Sequence, residues 1–301
     1  MRNFVFLLAV AAVTAMTSSA PAAPRVLASI KPVHSLAAAV MEGVGRPELL
    51  IEGAASEHGY SLRPSDARKI ASADVIFWIG PDLETYLIAS LQSLAPNAKR
   101  VELEHAKGMQ LLPARRSGVW TVDDDHDRAS VNPHVWLSPD NAMAMARAIA
   151  DTLSAFDPLD AKRYRTNAAK TIASLEALKR AIAAELAPVR RRRYIVFHDA
   201  YPYFEHAFGL SPIGTVTVAP DRPEGPRTIA ALRHLLLAGQ AACIFEEPQF
   251  SPALVTSLAE GTKARVGVLD PLGANLAPGP GLYPALMRNL ARSIKTCLAG
   301  S

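Results

Sequence analysis

The chain has 301 residues, of which half are hydrophobic and a fifth charged, an ordinary globular composition that excludes a disordered or low-complexity protein. Its formal charge of +4 is too mild to argue for nucleic acid or any other acidic partner. Arg190-Arg191-Arg192-Arg193 has no interleaved aromatics and lies between a helical pattern and a strand, so it reads as a solvated helix end favoured by the helix dipole.

In chain order, Arg2 supplies a short positive region and Phe4 to Met16 an apolar stretch too short to span a bilayer. Ala20-Pro21-Ala22 then fits a small-x-small cleavage site. Residues 1–22 therefore read as a signal peptide, and the exported chain as a soluble protein of about 279 residues. Strands are predicted at Val26 to Ser29, Glu48 to Ile51 and Val75 to Ile79, with helices at Pro32 to Met41 and Pro64 to Ala71 between them. This alternation implies a mainly parallel sheet covered by helices. From Asp157, with Pro158 at a first helical position, apolar residues at Tyr164, Ala168, Ile172, Leu175, Leu178, Ile182 and Leu186 keep helical spacing until Pro188. They predict one linking helix of roughly 30 residues, about 45 Å long, and with it limited domain closure.

Beyond that helix the alternation resumes. Strands are predicted at Tyr194 to Phe197, Thr215 to Val218, Cys243 to Glu246 and Val266 to Leu269, with helices at Arg227 to Ala238 and Ser251 to Gly261. The fold class is α/β: an N-terminal lobe over 23–156, a linking helix over 157–188 and a C-terminal lobe over 189–301. Cys243 opens a strand and Cys297 ends the helical pattern Leu286, Leu290, Ile294. In an oxidising compartment this even pair is read as a disulfide, closing a loop of roughly 50 residues and contributing about 3–4 kcal/mol.

Three histidines carry the chemistry. His58 stands in Ser56-Glu57-His58-Gly59-Tyr60, His134 in Asn132-Pro133-His134-Val135-Trp136, and His198 in Ile195-Val196-Phe197-His198-Asp199. Each borders an apolar run, and three imidazoles converging at the ends of buried elements suit a borderline-soft cation such as zinc.

The runs Glu57-His58-Gly59-Tyr60-Ser61-Leu62-Arg63-Pro64-Ser65-Asp66, Phe197-His198-Asp199-Ala200-Tyr201-Pro202-Tyr203-Phe204, Glu247-Pro248-Gln249-Phe250 and Leu269-Asp270-Pro271-Leu272-Gly273 carry a resemblance. Together they resemble the periplasmic zinc-binding component of bacterial zinc-uptake ABC transporters, the ZnuA type. The resemblance spans nearly the whole exported chain. It implies two α/β lobes bridged by a long helix, a metal site in the cleft between them, and zinc ligands at His58, His134 and His198. It also implies a Cys243–Cys297 disulfide, a periplasmic location, and delivery of Zn2+ as cargo to an inner-membrane ABC permease with its ATPase, the chain acting as a monomer.

Three neutral imidazoles supply most of a tetrahedron, and Asp270, Glu57 or water completes it. Manganese-binding members resemble this chain but place a carboxylate where His198 stands, and an imidazole there shifts preference toward zinc. ZnuA-type chains often carry a long His-rich acidic loop, where this one has only Asp123-Asp124-Asp125-His126-Asp127. That segment reads as a solvated turn rather than a second metal site. A secreted zinc hydrolase is the alternative of another class, and neither a His-Glu-x-x-His pair nor a Gly-x-Ser-x-Gly elbow is present to support it. A manganese or iron carrier on the same fold is the nearer alternative. With free histidine titrating near about 6.5, zinc affinity is expected to fall between roughly pH 7 and 5.

Overall fold

A computed structural model describes residues 23–120, 127–220 and 224–300. The proposed signal peptide and Asp123 to His126 lie outside them. The first half runs β1 (Val26–Ala28), α1 (Lys31–Val40), β2 (Glu48–Leu49), α2 (Pro64–Ser72), β3 (Val75–Trp78), α3 (Ile88–Leu94) and β4 (Lys99–Glu102). Its strands form a parallel sheet in the order β2-β1-β3-β4. β1 and β3 are buried throughout, as inner strands covered on both faces must be. A short antiparallel ribbon follows, β5 (Pro113–Ala114) with β6 (Asp127–Val131), and then α4 (Pro139–Phe156).

Next comes α5 (Ala161–Leu186), then β7 (Arg193–His198), α6 (Pro202–Phe208), β8 (Ser211–Thr217), α7 (Pro226–Leu237), β9 (Cys243–Glu246), α8 (Ala253–Ala259), β10 (Arg265–Val268) and α9 (Leu282–Ala299). The second sheet is also parallel, in the order β10-β9-β7-β8. Two α/β lobes with parallel sheets result, as the alternation of elements predicted.

The linking helix is shorter than the periodicity suggested. Residues 157–160 form a turn after α4, and Asp157 serves as the C-cap of α4 while its carboxylate accepts from the Tyr164 hydroxyl. Asp160 takes the N-cap position, so α5 has 26 residues and is about 39 Å long. It does not bridge alone: α1, α4 and α9 share one buried core with it, and that core reaches β1 and β3 on one side and β7 and β9 on the other. Polar bonds add to this junction. Buried Lys31 donates to the carbonyls of Gly273 and Ala274, the Trp136 indole N–H donates to Pro271 O at 2.8 Å, and the Tyr283 hydroxyl donates to Trp136 O at 2.7 Å.

The stretch that follows β5 also crosses between the halves. Thr215 N donates to Gly118 O at 2.8 Å and Trp120 N to Ile213 O at 3.1 Å, which seats this stretch of the first half on β8, the edge of the second sheet. Glycine is required at both contacts. A Cβ on Gly118 would stand 2.8 Å from Thr215 O, and one on Gly214 2.7 Å from Gly118 O. Cys243 and Cys297 are bonded, joining β9 to α9.

Candidate metal centre

Each of the three histidines arrives by a different local device. His198 is the last residue of β7, an inner strand whose carboxyl end opens toward the junction of the lobes, where open α/β sheets gather ligands. His134 heads a single turn of 3-10 helix, Val135–Leu137, and its backbone N–H is caught by the Asn132 side chain at 3.1 Å. His58 sits in the loop between β2 and α2, just before the capping box of Arg63 and Asp66 that starts α2.

The rings converge. His134 Nε2 is 3.1 Å from His58 Nε2 and 3.1 Å from His198 Nε2. Nitrogens bound at roughly 2.0–2.1 Å to one tetrahedral ion stand about 3.3 Å apart, so the spacing is that of ligands around a single cation. Glu57 Oε1 lies 3.8 Å from His134 Nε2 and 4.0 Å from His58 Nε2, is buried, and accepts no hydrogen bond. One donor atom from each of Glu57, His58, His134 and His198 falls within 4.8 Å of the others, and no second such group occurs among the described residues.

Two rings are oriented from behind. His198 Nδ1 is 2.7 and 2.8 Å from the two Glu247 oxygens, and His134 Nδ1 is 3.0 Å from Asn132 Oδ1. The Asn132 carbonyl only accepts, so His134 Nδ1 carries hydrogen and its Nε2 points unprotonated into the cluster; Glu247, whose carboxyl burial raises well above its ordinary range, does the same for His198 once ionised by a cation in the site. Facing lone pairs 3.1 Å apart repel unless a cation sits between them. Burial, followed by repulsion from the neighbouring imidazoles, lowers His134 well below the ordinary histidine range, and burial brings His198 down to about 4. Burial pushes the Glu57 carboxyl up to about 7, with the His198 charge opposing.

Asp270 is not brought to this centre. Its Oδ1 accepts from Gln249 Nε2 and from the backbone N–H groups of Leu272 and Gly273, and its Oδ2 from Ala274 N at 2.6 Å. The carboxylate is used to fold the 270–276 loop. Glu247, Asn132 and Trp136, whose ring centre is 5.2 Å from that of His134, were not singled out from sequence. Glu247 carried one usable signal, an acid directly after a buried strand. A cleft of about 640 Å³, lined by His58, Asp82, Arg116, Asn132, His134 and Asp199 among others, gives access from solvent on the His58 side.

A family profile described as "Zinc-uptake complex component A periplasmic" matches residues 26–297, nearly the whole chain. The chain belongs to the ZnuA family. Among ZnuA relatives, the high-affinity zinc uptake system protein of Brucella suis is 44% identical, the alignment covering 91% of each chain. That of Yersinia pestis is 34% identical over 92% of each. The fold likewise matches the crystal structure of a zinc-bound ZnuA deletion mutant, with TM-score 0.78 and 24% identity over 92% of this chain and 98% of that one.

Proposed function

We propose that the protein is a periplasmic solute-binding protein that captures Zn2+ and passes it to an inner-membrane ABC permease driven by its ATPase. The convergence of three imidazole nitrogens and one buried carboxylate oxygen that accepts no hydrogen bond, at single-ion spacing, carries this reading. Membership of the ZnuA family supports the cargo, the compartment and the transporter partners. None of the described helices is long and apolar enough to cross a membrane.

His58, His134 and His198 each supply Nε2, and Glu57 supplies the fourth donor. Three nitrogens and one oxygen suit zinc better than manganese, which favours carboxylate and water oxygens. The Glu57 charge, once its proton leaves, partly neutralises the cation in a place where water cannot. Because the four donors come from both halves of the chain around a shared core, capture needs little closure. Release then requires the permease to disturb a packed junction rather than simply open a hinge.

Anomalous diffraction from zinc-soaked crystals tests the site, and a parallel titration tests the role. One zinc per chain on these four residues, with no turnover of ester or peptide substrates, is expected. An ion elsewhere, or catalytic turnover by the zinc-loaded protein, overturns the reading.

A further inference from the structure

Asn132 stands at a crossing of the two halves. Its Oδ1 accepts from both the backbone N–H and the ring Nδ1 of His134, at 3.1 and 3.0 Å. Its Nδ2 donates at 2.7 Å to the backbone carbonyl of Asp199, the residue directly after His198. That second bond settles which end of the amide faces His134, because a carbonyl can only be approached by the NH2 group. The oxygen must therefore face His134, and Nδ1 must carry the hydrogen.

The anchor on the far side is itself held. Asp199 Oδ1 accepts from Arg115 Nη1 at 2.7 Å, and Arg115 Nη2 donates to Glu205 Oε2 at 3.0 Å. The Arg115 guanidinium also lies 3.8 Å above the Trp120 ring, in the stretch between β5 and β6 that crosses to β8. Two acceptors and one stacking face leave Arg115 little freedom. The Asn132 backbone is fixed as well, its carbonyl accepting from the Tyr203 hydroxyl at 2.8 Å. A histidine from the first half is thus tied to the residue beside a histidine from the second by a chain of buried hydrogen bonds.

We propose that Asn132 is a positioning residue for metal capture, fixing His134 as its Nδ1–H tautomer and holding it in register with His198 through Asp199. The proposal rests on the assignment of His134 as a ligand. Without the Asn132 oxygen, His134 can place its hydrogen on Nε2, where it blocks coordination, and the ring can swing away from the His198 strand. Groups that orient ligating histidines in this way typically change metal affinity by about 10–100-fold when removed.

The test is nitrogen-15 NMR of the imidazoles in the metal-free full-length mature protein, combined with zinc competition titrations of the same samples. Wild type should show His134 only as the Nδ1–H tautomer. Asn132→Leu should populate the Nε2–H form and weaken zinc by about 10–100-fold. Asn132→Asp, which keeps an acceptor facing His134 but loses the donor to Asp199, should retain the tautomer and recover affinity to within about tenfold of wild type. The proposal is overturned by an Nε2–H His134 in wild type, by Asn132→Leu losing affinity with its tautomer unchanged, or by Asn132→Asp weakening zinc as much as Asn132→Leu. Should Asn132→Leu fail to fold, the wild-type tautomer and the Asn132→Asp affinity still decide it, a loss of well over tenfold in Asn132→Asp then overturning the proposal. Wild-type affinity in His134→Ala would instead sink the ligand assignment, a separate failure that the tautomer measurement does not share.

Discussion

Lowering the pH from 7 to 5 should weaken zinc binding chiefly through Glu57 rather than through His134 and His198. Solvent-exposed imidazoles near about 6.5 would each hold a proton at pH 5, and three of them would make log K fall by up to about three units per pH unit. The structure changes which groups titrate. Burial and mutual repulsion keep His134 far below the ordinary range, and burial keeps His198 near about 4, so both are already deprotonated at pH 5. Glu57, raised to about 7 by burial, is protonated below that pH in the metal-free protein and must release its proton to solvent when a cation binds beside it. The sign follows: affinity rises with pH up to about 7 and levels above it, because binding expels a proton only where the empty site holds one. The Glu57 proton by itself accounts for a loss of about two decades from pH 7 to 5, or about 2.7 kcal/mol at 1.36 kcal/mol per unit. A competition titration with a chelator corrected for its own protonation, run from pH 5 to 8 on wild type and Glu57→Gln, measures both slopes. The variant should lose about one unit of slope. A wild-type slope approaching three, or a Glu57→Gln slope equal to wild type, would refute the reasoning.

Substituting His58, His134 or His198 by Ala should each weaken zinc by orders of magnitude in isothermal titration, whereas Asp270→Ala should act mainly on thermal stability, because its oxygens hold the 272–274 amides. Replacing both Cys243 and Cys297 by Ser frees a crosslink between residues 54 apart, which should remove about 4 kcal/mol of stability in denaturant unfolding and leave zinc affinity within about threefold. Lys31→Met leaves the carbonyls of Gly273 and Ala274 without their buried donor and should lower stability by about 1–3 kcal/mol in the same assay.

Much of this protein is legible from its chain alone. Each lobe's inner strands are short apolar runs set between helical patterns, and burial on both faces makes such runs stand out, so Val26 to Ser29, Val75 to Ile79 and Cys243 to Glu246 needed no partner to be seen. β4 was missed for the same reason in reverse: Lys99–Glu102 is largely exposed at a sheet edge and carries no buried pattern. Asp157-Pro158 has the chemistry of a helix start, yet α5 begins three residues later, and only the packing of α4 against α5 makes that stretch a turn. The three histidines were recognisable because each borders a buried element. Their 3.1 Å spacing was not, since it depends on a core shared by α1, α4, α5 and α9 that brings residues 76 and 64 positions apart together. What distinguishes Glu57 from Asp270 is visible only in the tertiary structure. Both are carboxylates at the edge of a conspicuous run, but the backbone amides of 272–274 satisfy Asp270 locally, while Glu57 Oε1 is buried against two imidazoles and accepts no hydrogen bond. Sequence determines which donors the chain owns; which of them remain free for a cation is set by where the folded backbone leaves its hydrogen bonds.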